Sequence, residues 1–142
     1  MFKKKFFALT IALLIFSSCK KEALDNTALL TSGKWRITAD IDNGVDHFRT
    51  ALNCEKDNTW QFETSGIITI DEGATKCSAS DQQSYSIGRW LLSGTDQKKL
   101  IITEDTGSGS STTLDIVELT SGILKITYTD AGHTYVITFV KV

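Results

Sequence analysis

From residue 33 to the C-terminus, apolar and polar side chains alternate in short runs. In the first run, residues 34–41, the side chains of Trp35, Ile37 and Ala39 fall on one face. This alternation is typical of a β-strand with one buried face, because successive side chains of a strand point to opposite sides. The same pattern predicts eight strands, over residues 34–41, 58–64, 67–71, 85–92, 99–104, 112–119, 123–129 and 135–140.

The segments between these strands are short and rich in Gly, Asn, Asp and Ser. Turn signals at intervals of roughly 8–12 residues indicate an antiparallel meander, arranged as a sandwich or a barrel. Closure into a barrel removes exposed sheet edges. We therefore expect an all-β fold, an eight-stranded antiparallel up-and-down β-barrel with one short helical segment within residues 43–53. A barrel of this size is filled by side chains or holds one small ligand.

The first nineteen residues follow a different pattern. Three lysines at positions 3–5 precede an apolar run over residues 6–16, and Ser17 and Ser18 precede Cys19. This is the layout of a secretory signal peptide. The alternatives are a short membrane anchor or a buried helix, but the apolar run is shorter than the roughly 20 residues that cross a bilayer.

The segment Ile-Phe-Ser-Ser-Cys at positions 15–19 resembles the bacterial lipobox. The resemblance implies that a diacylglycerol is attached to the thiol of Cys19, that the chain is cut before this residue, and that the new amine is acylated. Two or three acyl chains are enough for stable anchoring. We therefore expect a lipid-anchored protein of the bacterial cell envelope, at the outer membrane, on its periplasmic or its surface face.

The chain is thus predicted to have three parts, a signal peptide over residues 1–18, a lipidated N-terminus and tether over residues 19–32, and a barrel domain over residues 33–142. Within the tether, Leu24, Ala28 and Leu29 have the spacing of one or two helical turns. Removing residues 1–18 takes away three of the fifteen basic residues and none of the seventeen acidic ones, which leaves a net charge of −5. An acidic domain lacks the electrostatic footprint of nucleic-acid binding.

With Cys19 assigned to lipid, two cysteines remain. Cys54 and Cys77 form an even pair in an oxidising compartment, which predicts a disulfide. A metal site is the alternative, but zinc takes about four ligands and the only histidines are His47 and His133.

Gly33, Lys34 and Trp35 at the start of the first strand resemble the G-x-W signature of lipocalins. Further matching pieces lie at residues 54–62, 66, 77, 88–90, 100–103, 116–119, 124–128 and 135–139. Residues 30–142 as a whole resemble the lipocalin-like domain of small bacterial lipoproteins. The resemblance implies a lipocalin-type barrel without catalytic residues, closed at one end by Trp35. Lipocalins commonly pack an arginine of the last strand over this Trp, a place where the present chain offers only Lys141.

Six aromatic residues on the expected inner face are the candidate ligand-binding residues, namely Trp60, Phe62, Trp90, Tyr128, Tyr135 and Phe139. They are interpreted either as a packed core or as the lining of an apolar cavity in which tyrosine hydroxyls act as polar anchors.

Catalytic or metal-binding constellations do not emerge from the sequence. His47 and His133 fall in expected loops, and the acidic pairs at residues 71–72 and 104–105 end strands, where solvated carboxylates are favoured over a weak calcium site. Arg89 is expected to point outward, with an inward anion clamp as the alternative if a bulge reverses it. We therefore expect no enzyme, no cofactor and no metal.

The first functional hypothesis is a monomeric, non-enzymatic envelope lipoprotein that binds a small apolar or amphipathic ligand. The alternatives are an interaction module whose filled barrel contacts another envelope protein or a glycan, and an inhibitor-type barrel. A cavity of a few hundred cubic ångströms favours ligand binding, and a filled interior favours the alternatives.

Overall fold

The computed structural model describes residues 25–105, 107 and 109–142. The predicted signal peptide over residues 1–18, the predicted lipidation of Cys19 and the tether as far as residue 24 lie outside the described residues. Within the described ranges, no helix is long and apolar enough to cross a membrane.

The described chain is built around one antiparallel sheet that closes on itself. Its strands are β1 (Lys34–Asp42), β2 (Val45–Asp46), β3 (Thr59–Phe62), β4 (Ile67–Asp71), β5 (Ser84–Ser93), β6 (Lys99–Glu104), β7 (Ser111–Leu119), β8 (Ile123–Asp130) and β9 (His133–Lys141). From β3 to β9 each strand pairs with the next, and β1 pairs with both β3 and β9. The predicted eight-stranded up-and-down barrel is therefore confirmed. The additional strand, β2, pairs only with the end of β1 and is too short to show any alternation in the sequence.

Three short helical segments accompany the barrel, whereas the sequence predicted one within residues 43–53 and one or two helical turns in the tether. They are α1 (Asn26–Thr31), a 3₁₀ helix (Phe48–Thr50) and α2 (Asn53–Lys56). The last two begin within the expected helical region. The start of α1 is fixed by an N-cap, because the carboxylate of Asp25 accepts a hydrogen bond from the backbone N–H of Thr27 at 3.2 Å.

One end of the barrel is closed by α1 and the start of β1. Leu30 and Trp35 are both completely buried, and the indole N–H of Trp35 donates to the carbonyl oxygen of Leu30 at 2.8 Å. The helix expected in the tether thus exists, but Leu30 fills the barrel end, whereas Ala28 is exposed. Lys141 places its ammonium 5.1 Å from the centre of the Trp35 ring, so a lysine makes the cation–π contact at this end.

The other end of the barrel carries the β4–β5, β6–β7 and β8–β9 connections and the long segment between β2 and β3. A disulfide joins Cys54 in α2 to Cys77 in the β4–β5 connection, with the two Cα atoms 5.1 Å apart. The predicted disulfide is therefore confirmed. It encloses the β3–β4 hairpin and ties together two connections at the open end of the barrel.

Candidate functional site

A cavity of about 620 Å³ occupies the barrel interior towards the open end. It is lined by Trp60, Phe62, Tyr85, Ser86, Ile87, Ile102, Glu104, Asp105, Thr112, Leu114, Ile126, Tyr128, Ile137 and Phe139. Most of its polar members, Tyr85, Ser86, Glu104, Asp105 and Thr112, lie where β5 and β7 begin and where β6 ends. Because these strand ends lie at the open end of the barrel, the cavity has a polar mouth.

The inner part of the cavity is apolar, and its side chains are buried. Phe62, Leu114, Ile126 and Phe139 are no more than 5% exposed. The ring of Trp60 meets Phe139 edge-on, with their centroids 5.7 Å apart. Four different strands supply these five side chains, so the apolar wall is a product of the closed sheet.

Four of the six predicted ligand-binding residues line the cavity, namely Trp60, Phe62, Tyr128 and Phe139. Trp90 is placed elsewhere, since its indole N–H donates to the carbonyl oxygen of Glu63 at 3.0 Å and its ring packs edge-on against Phe62. Tyr135 stacks on Tyr128 with ring centroids 4.7 Å apart. Tyr135 therefore packs against a residue of the lining but does not line the cavity itself.

A bulge in β5 brings two further residues to the cavity that strict alternation assigns to the outer face. Gly88 pairs with Ile68, but the next pair joins Ser86 to Thr69, which leaves Ile87 unpaired. As a result Ile87 and Tyr85 line the cavity, although strict alternation from the inward-pointing Trp90 would place both on the outer face. The signal was the glycine within the strand, because an interior glycine often marks a bulge or a close backbone approach.

This glycine is required by its surroundings. Gly88 has a φ of +156°, and a Cβ atom there would lie 2.2 Å from the carbonyl oxygen of Thr103 on β6. No side chain fits that distance, so the bulge depends on a residue without one. Arg89, which follows, stays exposed on the outer surface, so it does not form the anion clamp considered above.

A second bulge, in β1, assigns Asp40 and Asp42 to the inner face of the sheet, although neither residue lines the cavity. Ile37 pairs with Phe139 and Ala39 with Thr138, so one residue of β1 is skipped. After the bulge Asp40 pairs with the cavity residue Ile137, and Asp42 pairs with Tyr135. Cross-strand partners share a face of the sheet. The expectation that Ala39 shares a face with Trp35 and Ile37 is therefore wrong, because the bulge between Ile37 and Ala39 reverses the order of the faces.

Aromatic rings form a stack beside these carboxylates. Tyr135 lies between Tyr128 and His133, with the His133 and Tyr135 ring centroids 6.1 Å apart. Nδ1 of His133 is 2.9 Å from a carboxylate oxygen of Asp42. The imidazole is thus held by an acid and an aromatic ring, a structural arrangement at the end of the β8–β9 hairpin.

The pKa values of Tyr128 and Tyr135 reflect the burial and the negative charge on this side of the mouth. Burial raises the pKa of Tyr128 above its ordinary value, and the adjacent Tyr135 adds to this effect. Burial likewise raises the pKa of Tyr135. The negative charges of Asp40, Asp42 and Asp130 act on both tyrosines in the same direction.

On the disulfide side, Tyr85 connects the cavity to the β4–β5 connection. Glu72 at the start of that connection is only 6% exposed and makes a hydrogen bond with the Tyr85 side chain. Burial, followed by this hydrogen bond and the charge of Glu72, raises the pKa of Tyr85. Tyr85 is thereby held in the cavity wall by a segment that the Cys54–Cys77 disulfide restrains.

Groups of three or more His, Cys, Asp or Glu residues placed to hold a metal ion are absent from the part of the chain that the structure describes. His47 is exposed and precedes the 3₁₀ helix. The geometry is therefore that of a container with an apolar interior and an acidic mouth.

Comparison with known proteins agrees with this architecture. The model of the lipocalin-like domain family matches residues 31–126, which is more than half of the chain. No curated protein matches the chain at a significant level. The match begins at the last residue of α1 and continues into β8, so it includes Trp35 at the closed end and most of the cavity wall. The chain therefore belongs to the lipocalin-like domain family.

Proposed function

We propose that this protein is a non-enzymatic binding protein that holds a small apolar or amphipathic ligand inside its barrel. Its fold is that of a ligand-binding type of module, and proteins of the lipocalin-like family are generally binding proteins rather than enzymes. The observation that carries the proposal is the cavity of about 620 Å³. Sites for small molecules commonly measure about 300–1,000 Å³. A filled barrel would have favoured an interaction module, and this interior is not filled.

The wall of the cavity supports the same conclusion. Aromatic and aliphatic side chains supply most of it, with a few polar groups gathered at the mouth. This combination of an apolar interior and a small number of polar groups is typical of sites that enclose small molecules. Transfer of hydrocarbon from water into such a site contributes roughly 25 cal/mol per Å² of apolar surface removed from water.

A neutral fluorescent probe, phenylnaphthylamine, tests the proposal by titration into the purified protein. Thr112→Trp places a large ring at the mouth, where Thr112 is exposed yet lines the cavity. We expect at least a roughly tenfold loss of probe affinity, equivalent to about 1.4 kcal/mol. Thr113→Trp is the matched control, because its side chain is exposed outside the cavity lining and should leave affinity unchanged. Absence of probe binding by the folded wild-type protein would refute the proposal.

We also propose that the protein works at the cell envelope, anchored by lipid on Cys19. The lipobox-like segment at residues 15–19 supports this proposal. Cys19→Ala should abolish incorporation of labelled palmitate and leave the precursor uncut, and membrane fractionation should place the wild-type protein with the outer membrane. Continued palmitate labelling of the Cys19→Ala protein would contradict the proposal.

A further inference from the structure

A second pocket, of about 590 Å³ and polar in character, adjoins the apolar cavity at the open end of the barrel. Its lining includes Glu55, Asn58, Glu72, Asp81, Gln82 and Tyr85. Tyr85 also lines the cavity, so its side chain belongs to the wall that the two spaces share. The polar pocket lies beside the Cys54–Cys77 disulfide, between α2 and the β4–β5 connection. A ligand that fills the cavity therefore has this pocket next to it at the rim of the barrel.

The wall of the polar pocket differs in chemistry from that of the cavity. Carboxylates and side-chain amides supply most of it, whereas aromatic and aliphatic side chains supply most of the cavity wall. A carboxylate accepts hydrogen bonds at both oxygens, and an amide both donates and accepts them. A hydroxyl group also donates and accepts, so several hydroxyls side by side can bond to such a wall. Hydrocarbon in the same place would leave these polar groups without partners, which costs free energy.

The acceptors of the polar pocket are held in place by bonds within the protein. Glu55 accepts a hydrogen bond at 2.9 Å from the backbone N–H of the residue that caps α2. Asp81 accepts one from the backbone N–H of Ser78 at 2.7 Å, and Glu72 bonds to the Tyr85 side chain. An ionised carboxylate has about four acceptor positions, so one such bond fixes the group and leaves acceptor capacity for a ligand. Acceptors that are already ordered bind a ligand at a lower entropic cost.

Basic side chains lie in the same connections as these carboxylates, so the rim carries both signs of charge. The ammonium group of Lys76 donates to the carbonyl oxygen of Asp81 at 2.9 Å. Lys56 donates to the carbonyl oxygen of Arg49 at 3.1 Å, and the Arg49 guanidinium lies 3.8 Å from the carboxylate of Asp46. A charged headgroup would therefore meet like charge as well as opposite charge. An uncharged headgroup avoids this repulsion and still finds donors and acceptors.

These observations indicate one ligand chemistry, and the inference rests on the ligand-binding function proposed above. We propose that the protein binds an amphipathic compound with an uncharged polyhydroxyl headgroup, such as a sugar joined to a hydrocarbon chain. The hydrocarbon part occupies the apolar cavity, where the side chains of Phe62, Leu114 and Phe139 are buried. The headgroup extends past Tyr85 into the polar pocket and exchanges hydrogen bonds with its carboxylates and amides.

Four probes with the same alkyl chain test the headgroup preference, namely decyl glucoside, decanol, decyltrimethylammonium and decanoate. Affinities are measured by competition with phenylnaphthylamine, below the concentrations at which the probes form micelles or separate from solution. A glucoside whose headgroup stayed in water would bind no more tightly than decanol. We expect it to bind at least roughly tenfold more tightly, a ratio equivalent to about 1.4 kcal/mol, and more tightly than either charged probe. Free glucose added together with decanol should not reproduce the gain, because the covalent link raises the local concentration of the headgroup.

Variants of the β4–β5 connection test whether the preference arises in the polar pocket. Gln82 is exposed and lines this pocket, so Gln82→Trp places a large ring there without disturbing the core. The glucoside should lose most of its tenfold advantage, while decanol binding stays unchanged. Gln82→Ala removes the amide without adding bulk and should weaken only the glucoside. Ala79→Trp is the matched control, because Ala79 is an exposed residue of the same connection outside the lining, and it should retain the order of affinities. Near-ultraviolet circular dichroism checks the fold of each variant.

The outcomes separate this inference from the ligand-binding function on which it rests. Glucoside binding no tighter than that of decanol, or tightest binding of a charged probe, would overturn the inference while leaving ligand binding intact. A glucoside preference that survives Gln82→Trp, or that Ala79→Trp also removes, would overturn the assignment to the polar pocket. Failure of both decanol and phenylnaphthylamine to bind would overturn the ligand-binding function itself.

Discussion

Trp35 closes one end of the barrel, and Trp35→Ala measures what that closure contributes to stability. The side chain is completely buried, and its N–H donates to Leu30 at 2.8 Å. Truncating a buried Trp to Ala costs about 3–5 kcal/mol through lost burial and the space left behind. The lost hydrogen bond adds about 1 kcal/mol. Since a domain is stable by about 5–15 kcal/mol, the variant should unfold at far lower denaturant concentration than the wild type.

Two further variants test how the destabilisation by Trp35→Ala arises, one at the same position and one in the cavity wall. Trp35→Phe keeps most of the buried ring and removes the N–H, so we expect a loss of about 1–2 kcal/mol. Trp60→Ala removes the same side chain from the cavity wall, where it is only partly buried and borders space already empty. Its cost should be about half that of Trp35→Ala, because less burial is lost.

Urea unfolding monitored by far-ultraviolet circular dichroism gives the three free energies of unfolding, with phenylnaphthylamine affinity measured in parallel. Trp35→Ala should lower the free energy of unfolding with or without probe. Trp60→Ala should reduce the free energy of probe binding by more than it reduces the free energy of unfolding. The reasoning fails if Trp60→Ala is as destabilising as Trp35→Ala. It also fails if Trp35→Ala changes probe affinity in a protein that remains fully folded.

The remaining predictions concern the restraints around the cavity. Replacing Cys54 and Cys77 by Ser releases a closure across 23 residues and should cost roughly 3 kcal/mol in urea unfolding; an unchanged midpoint would contradict this. Gly88→Ala should cost more than about 1 kcal/mol, because a Cβ would meet a backbone oxygen of β6, and a stable variant with unaltered probe binding would refute the role of the bulge. Phenolate absorbance should show Tyr128 and Tyr135 ionising above the ordinary tyrosine pKa of about 10. Their contribution to stability is therefore intact below that pH and is lost as the pH rises through the higher folded-state pKa. Ionisation of both tyrosines at the ordinary pKa would contradict this prediction.

Local patterns were sufficient to predict the eight strands that form the barrel. The strands predicted over residues 67–71 and 99–104 coincide with β4 and β6, and the other six differ from the structure by one or two residues at their ends. Alternation and turn composition act within a few residues, so they are visible in a single sequence. The disulfide followed from the number of cysteines and the expected compartment.

The composition of the mouth could not be predicted in the same way. Each bulge shifts the alternation by one residue, and the sequence alone does not reveal which residue is skipped. For this reason Tyr85 and Ile87 were missed and Ala39 was placed on the wrong face. The inward position of Asp40 and Asp42 depends on pairing with β9, a contact between distant parts of the chain.

The pairing of β1 with β9 also constrains how the protein acquires its structure. The Thr38 hydroxyl donates to the carbonyl oxygen of Thr138, 100 residues along the chain. The sheet cannot close until this last strand has been synthesised, and folds dominated by such distant contacts form slowly. Until then both β1 and β8 present unpaired backbone groups, which makes the nascent chain prone to aggregation. Loss of β9 through truncation would make that vulnerable intermediate permanent.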